Sequence, residues 1–448
     1  MFFFFLSVLD HKSLGGCGEY MPYSDALWIN LLLIVHLVPA FIAMSIAGKK
    51  YDVVVFGATG FTGKLVCQYI AQQYTTSTGL KWGIAGRNIA ALESIKQNLN
   101  VDIDVLQYDV TDADSIDRIT RETTCVLTTA GPFDLIGMPL VESCVRNNAH
   151  YVDITGEPQF CRKVIDQLHE EAKVKRLKIV NCCGFDCIPA DMGCHLIVEH
   201  LQKKNLTPLE ARYITLELKG GISGGTIASA LNMMRSPQVM QRAKNPYYLC
   251  STVPDKDTVA KNSDFEWYDF DPIARRWCMP HIMQAIDTRI VHRSNELSGW
   301  KYGRNFVWGE RMAASGFLSA FISALASYFL QPLLKSKFLL DLVSNFLPKP
   351  GMGPSEDLLN NGFMKMKYWA KGVDSSDGKE KYVSGGLIAT NGDPGYKLTA
   401  RMVTECALCN VFEKSSPEVY GVLTPSVAFG ATLRKRLSDI GFNFYIDE

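Results

Sequence analysis

An α/β fold is predicted for this chain: an N-terminal doubly wound parallel sheet, followed by an α+β second domain that carries a hydrophobic, membrane-associating insert. Three observations lead there. A strand, a glycine turn and a helix follow one another over residues 51–73, strands and helices then alternate to about residue 190, and a long apolar run lies at 312–347.

The turn reads Gly57-Ala58-Thr59-Gly60-Phe61-Thr62-Gly63-Lys64. Before it, "YDVVVF" suits a strand buried on both faces; after it, Leu65, Val66, Tyr69 and Ile70 recur at helical spacing. Two phosphate loops compete for such a turn. A nucleoside-triphosphate loop needs Gly, four residues, Gly-Lys and then a hydroxyl for magnesium. Ala58 stands where the first Gly belongs and Leu65 where the hydroxyl belongs, so that reading fails. What remains is the dinucleotide turn of a Rossmann-type sheet, in which pyrophosphate rests on the unpaired N–H groups of a helix start. Gly57, Thr59, Gly60, Phe61, Thr62 and Gly63 are therefore the expected cofactor-binding residues of this turn.

The end of the second strand bears on the choice between NAD and NADP. An NAD site places a carboxylate there for the ribose hydroxyl. "LKWGIAGRN" offers none between Gly79 and Leu92; Arg87 stands there instead, and a planar guanidinium suits a 2'-phosphate. NADP is the expected cofactor, with NAD as the alternative. The third strand, in "VDIDVLQYDVTD", ends near Asp109, which is expected either beside the adenine or as the cap of the helix starting near Asp112. The fourth, "TCVLTTAGPF", breaks at Gly131-Pro132, where the second ribose and nicotinamide would pass. "HYVDITGE" is a fifth strand and "KIVNCCGFDCIPADMG" a sixth that runs into a loop.

A nicotinamide supplies a hydride, so the protein must handle a proton on the carboxyl side of strands four to six. Asp153, Glu157, Asp186 and Asp191 stand in the right loops. Asp186 is taken as the catalytic residue; Asp191 reads also as a helix cap and Asp153 as a turn residue. Ser223 and Thr226 in "SGGT" could hold a substrate carbonyl, or the glycines between them could serve close packing.

From Ala211 onward "ARYITLELKG", "FMKMKYWAKGV" and "EKYVSGGLIAT" read as strands that close one sheet, and the stretch past residue 400 returns to helix. The expected division is a leader or anchor at 1–48, a cofactor domain at 49–210 and a substrate domain at 211–448. Residues 26–48 carry no charge and are long enough to span a bilayer, but the first strand follows almost at once. An anchor and a dispensable leader, with translation starting at Met44, stay equally open. In the second apolar run, Met312 to Leu330, Ser315, Ser319, Ser323 and Ser327 recur every fourth residue beside Gly316, Ala320 and Ala324. A single crossing would put strands of one sheet on opposite sides of the membrane. An interfacial patch or hairpin is expected instead, the alternative being a buried helix at a homodimer interface.

Lys plus Arg and Asp plus Glu each total 46, so no basic excess points to nucleic acid. The 13 cysteines lack paired zinc spacing and read as reduced intracellular thiols, with Cys182, Cys183 and Cys187 as small buried residues. No metal site is expected, and no Ser-His-Asp order supports a hydrolase.

Together, "VVFGATGFTG", "AGR", "AGPF", "YVDITGEPQF", "GFDCIPADMG", "SGGT", "GDPGYKLTARMVTECAL" and "GVLTPSVAFG" resemble the saccharopine dehydrogenase-like oxidoreductases, a family similar to the bacterial trans-acting enoyl reductases of glycolipid synthesis. The resemblance runs from about Tyr51 to the C-terminus. It implies an oxidoreductase associated with membranes, notably lipid droplets, with a lipid-like enoyl or carbonyl substrate; Lys49 and Lys50 after the first apolar run favour the cytoplasmic face, and the endoplasmic reticulum is the other expected membrane. The competing expectation is a lipid-surface protein that keeps the nucleotide fold without turnover.

Overall fold

The computed structural model describes residues 48–74, 78–221, 223–226, 229, 241–334 and 353–447, with side chains of 327–334 left aside. The chain divides into Met1–Lys49 and Lys50–Glu448, and the account below concerns the second unit. Residues 1–47 of the expected leader and the 335–347 part of the apolar insert lie outside the described residues.

The first half alternates strand and helix as its periodicity predicts: β1 (Tyr51–Phe56), α1 (Phe61–Gln73), β2 (Trp82–Gly86), α2 (Ile89–Leu99), β3 (Asp104–Gln107), α3 (Ala113–Arg121), β4 (Thr123–Thr128), α4 (Phe133–Ile136), α5 (Met138–Arg146), β5 (His150–Asp153), α6 (Pro158–Val174), β6 (Lys178–Val180) and α7 (Ile188–Lys203). Val53 and Val55 of β1 enter one core cluster and Val54 and Phe56 the other, so this strand is buried on both faces. The order β3-β2-β1-β4-β5-β6 is that of a dinucleotide sheet, and all its pairs are parallel.

The second half supplies β7 (Leu206–Lys219), α8 (Lys256–Lys261), β8 (Asp269–Asp271), β9 (Arg276–Met279), α9 (Gln284–Leu297), β10 (Val307–Ala313), α10 (Phe317–Leu334), α11 (Glu356–Asn361), β11 (Phe363–Asp374), β12 (Glu380–Ala389), a π-turn at Pro394–Leu398, α12 (Thr399–Phe412), β13 (Gly421–Leu423), α13 (Pro425–Asp439) and β14 (Phe442–Ile446). The expected late strands do share one sheet, in the order β14-β12-β11-β7-β10-β9-β8. The stretch past residue 400 is not helix alone. β13 returns beyond the 210 boundary to pair with β6 in the parallel sheet, and β14 closes the edge beside β12.

The apolar run expected from Met312 is not one helix. Met312 and Ala313 end β10, where they pair with β9, and the helix starts at Phe317. Among the described residues no helix is long and apolar enough to cross a membrane. Within α10 the small residues Ala320 and Ala324 are fully buried, whereas Phe317, Leu318 and Ile322 are 47%, 65% and 55% exposed. The alanines of the small-residue stripe, Ala320 and Ala324, are thus used inside the fold, and Phe317, Leu318 and Ile322 face outward.

Asp191 is not the helix cap that was expected. It lies in the first turn of α7, where its carboxylate accepts the Ser294 hydroxyl of α9 (2.5 Å) and the Ser426 N–H (2.7 Å) and hydroxyl (2.8 Å) of α13. Burial pushes this carboxyl up to about 6. A folded-state value above the unfolded one means that the native protein holds a proton already released by the unfolded chain. The group's stability cost is therefore absent below about pH 4 and grows toward pH 6, reaching about 3 kcal/mol. Asp191→Asn should flatten that part of the stability–pH curve in urea denaturation; an unchanged slope between pH 4 and 6 would contradict the assignment.

Candidate active site

The β1–α1 turn works only without side chains at two points. Gly57 has φ +78°, and a Cβ on it would sit 2.9 Å from the Ala130 nitrogen; a Cβ on Gly63 would sit 2.1 Å from the Gly57 carbonyl oxygen. Gly60 donates its N–H to that oxygen (2.9 Å) and begins α1 with no side-chain cap and no acidic residue in the first turn. The helix start, with Phe61, Thr62 and Gly63, is left as an anion cradle: unpaired N–H groups at the positive end of the helix dipole. Thr59 is half-buried in the same turn. These residues fit a dinucleotide's pyrophosphate.

The other expected cofactor residues lie along the same carboxyl edge of the sheet. Arg87 follows β2 and is exposed, while Asn88 beside it caps α2 by accepting the Ala91 N–H (3.1 Å). Asp109 follows β3; its carboxylate accepts the Thr111 N–H (2.8 Å) and hydroxyl (2.7 Å), which hold it below the usual carboxylate range, with the Arg87 charge adding to the effect. Asp109 is not the cap of α3. That role falls to Asp112, which accepts the N–H groups of Asp114 and Ser115. Gly131 follows β4 and precedes the cis Pro132, and a Cβ on it would stand 3.4 Å from the Phe133 ring.

The carboxylates after β5 turn out to be struts. Asp153 is fully buried and accepts the Tyr151 hydroxyl (3.0 Å), the Asn181 amide (2.7 Å) and the Thr155 and Cys182 N–H groups; burial still pushes it up to about 6. Glu157, 1% exposed, accepts the N–H groups of Phe133 (3.0 Å) and Asp134 (2.9 Å) and the Ser229 hydroxyl (2.8 Å). It clamps the loop after β4 and has no free oxygen to offer a substrate.

Asp186 differs. It sits between β6 and α7, partly exposed, and its Oδ2 would lie 2.8 Å from a Cβ on Gly156, so the carboxyl lies over the loop that follows β5. Burial pushes it up to about 6, against a downward pull from His281. The "SGGT" segment does not hold its groups free: the Ser223 N–H donates to the Tyr396 hydroxyl, and Thr226 Oγ1 lies 2.8 Å from the same oxygen. Tyr396 in turn meets the Phe61 ring edge-to-face at 5.3 Å. Asp393 accepts the Gly221 and Tyr396 N–H groups, and Thr399 Oγ1 accepts the Phe185 N–H (3.0 Å). Residues 393–399 thus connect the cofactor turn, the 221–226 segment and the Asp186 loop. Tyr396 lies in "GDPGYKL", where no local pattern in the sequence marks it for this part. The twelve described cysteines are free and buried, with Cys182 and Cys187 thiols raised by desolvation, as expected for packing residues.

Comparison with known proteins agrees with this geometry. Residues 53–180 match the saccharopine dehydrogenase NADP binding domain. A Mycobacterium tuberculosis (H37Rv) protein that carries the provisional name trans-acting enoyl reductase is 30% identical over 423 residues, covering 89% of this chain and 98% of its own. The trans-acting enoyl reductase of Mycobacterium ulcerans is 28% identical over 425 residues, with the same coverage. Apo saccharopine dehydrogenase (L-Glu forming) from Saccharomyces cerevisiae superposes with a TM-score of 0.51 at 12% identity, over 89% of this chain and 99% of that one, a likeness of fold alone. NADP is the cofactor that this domain binds. Arg87→Ala should weaken NADPH binding about tenfold or more, equivalent to ~1.4 kcal/mol, and leave NADH binding unchanged in a fluorescence titration. Equal losses for both would remove Arg87 from the 2'-phosphate.

Proposed function

We infer, for a chain that belongs to the saccharopine dehydrogenase-like oxidoreductases, that it reduces an enoyl or carbonyl group of a lipid-like substrate with NADPH. The observation that carries this reading is one line of residues along the carboxyl edge of the parallel sheet. Asp109 and Arg87 lie at one end, residues 57–63 and Gly131 follow, and Asp186 closes the line beyond β5 and β6. A dinucleotide laid along it would point its nicotinamide toward Asp186. Asp109 would border the adenine and Arg87 the 2'-phosphate.

NADPH, when bound, supplies the hydride. The protein's part is the matching proton, and a desolvated carboxyl raised to about 6 keeps a larger protonated fraction near neutrality than an ordinary aspartate. In enoyl reduction one carbon takes the hydride and its neighbour takes the Asp186 proton, which solvent then replaces. Glu157 and Tyr396 keep the surrounding loops in place. The relatives named as enoyl reductases favour this class of substrate.

The lipid part of the proposal rests on the outer face of α10 and the strands beside it. Phe317 packs on Trp277 at 5.0 Å and on Tyr268 at 5.7 Å, and Phe270 on Trp277 at 5.5 Å. Trp267 and Phe270 are 43% and 49% exposed beside the outward Leu318 and Ile322. Aromatic rings next to bare aliphatic side chains suit the boundary between headgroups and acyl chains. This face supports a membrane or lipid-droplet surface as the place where the protein works, and we propose its cytoplasmic side.

Asp186→Asn should lower kcat for NADPH oxidation over a panel of α,β-unsaturated acyl lipids by about 10²- to 10⁴-fold, with NADPH affinity intact; a retained rate would place the proton donor elsewhere. Leu318→Glu with Ile322→Glu should abolish flotation with phospholipid-coated triacylglycerol droplets and leave the sedimentation coefficient unchanged. Undiminished flotation together with a dimer falling apart would make the same face an oligomer interface.

A further inference from the structure

Next to the Asp186 end of the cofactor edge, three ligand-type side chains meet in the interior of the second sheet's flank. His281 follows β9, Asp287 lies in the first turn of α9 and Glu310 is on β10. They are 3%, 1% and 2% exposed, and each offers a ligand atom within 4.8 Å of the others. We propose that His281, Asp287 and Glu310 form a binding site for a divalent transition-metal ion of the Zn²⁺ or Mn²⁺ type.

The arrangement of lone pairs is the main argument. The Trp308 indole N–H donates to Glu310 Oε1 (2.8 Å), which fixes the carboxylate and turns Oε2 toward His281 Nδ1, 3.4 Å away. The Met283 N–H lies 3.3 Å from that same Nδ1, which marks it as the unprotonated nitrogen; its single lone pair would turn from this long contact to an ion. Two acceptors therefore face each other. Glu310 Oε2 and Asp287 Oδ1 are both buried, and among the described residues no N–H or O–H donor reaches them other than the opposite carboxyl of the pair. Such oxygens are costly in a dry interior unless a positive centre lies between them.

No lysine or arginine supplies that centre: among the described residues His281 is the one basic group within ion-pair distance of Glu310, and Asp287 has none. Of the other titratable groups facing Asp287, Asp186 adds negative potential, while the Cys187 thiol donates to Asp287 from the start of α7 and offsets part of that cost. The Tyr213 ring lies edge-on to the His281 ring at 5.3 Å and stacks with Trp308, forming an aromatic wall.

The spacing also fits. Ligand bonds of ~2.0–2.2 Å put neighbouring donor atoms roughly 3.0–3.5 Å apart in octahedral or tetrahedral geometry, which brackets the 3.4 Å between Nδ1 and Oε2. One imidazole and two carboxylates suit Zn²⁺ or Mn²⁺; calcium wants six or more oxygens, and magnesium keeps most of its waters. No metal was expected from sequence, because positions 281, 287 and 310 share no motif spacing and come together only when β9, α9 and β10 pack.

The test needs neither substrate nor cofactor. The full chain, equilibrated with Zn²⁺ or Mn²⁺ and desalted, should retain about one equivalent by mass spectrometry and gain thermal stability. A chelator should reverse both effects. Co²⁺ in place of Zn²⁺ should show visible d–d bands, which reports the ligand set in the unmutated protein even if variants fold poorly. Glu310→Gln and Asp287→Asn should each weaken binding by more than ~100-fold without changing the circular dichroism spectrum. Absence of binding of all three ions by the full chain, with Glu310→Gln raising the thermal midpoint, would overturn the proposal and make the cluster a proton-sharing carboxyl pair.

Discussion

Helix α7 has to lie against the parallel sheet and the second sheet at once, and the absence of a side chain at Gly193 permits it. A Cβ there would stand 2.3 Å from the Tyr368 ring of β11, whose hydroxyl donates to the Pro189 carbonyl at 2.8 Å. At that separation the first core cluster runs from Val53 and Val55 of β1 through α7 to Tyr213, Met366 and Tyr368 of the second sheet. The loop that carries Asp186 leads directly into this helix. Its position is set from behind by Asp191, which ties α7 to α9 and α13. The reactive edge of one sheet is thus located by how closely the other can approach.

Local patterns carried much of this into the sequence. The buried β1, the glycine turn and the amphipathic α1 are adjacent in the chain, so their chemistry could be read in order, and Arg87 and Gly131 followed from the ends of later strands. The missing pieces depend on distant partners. β13 joins the parallel sheet from residues 421–423, which no local period announces. Glu157 stands where a proton donor was sought, but its oxygens are taken by the N–H groups of Phe133 and Asp134. Tyr396 reaches Phe61 from more than three hundred residues away. In α10 the apolar count was legible, but its direction was not: Ala320 and Ala324 point in and Phe317, Leu318 and Ile322 point out.

Two kinds of buried carboxyl coexist in this molecule, and the difference is in their donors. Asp153 and Asp191 receive several N–H or hydroxyl donors each and act as joints between elements. Asp186, partly open to the crevice, and the Asp287–Glu310 pair, each with one buried oxygen that no N–H or O–H donor outside the pair reaches, are the ones proposed above to handle a proton and a cation. An oxidoreductase built on a dinucleotide sheet needs the first kind to keep its loops still while the second kind acts.

The central claim is that the carboxyl edge of the parallel sheet is the cofactor crevice and ends at Asp186. Hydrogen–deuterium exchange of the full chain with and without NADPH tests it directly. The account predicts slower exchange at residues 57–64, 129–134 and 183–187 together. Protection confined to other segments, or none at saturating NADPH, would contradict it.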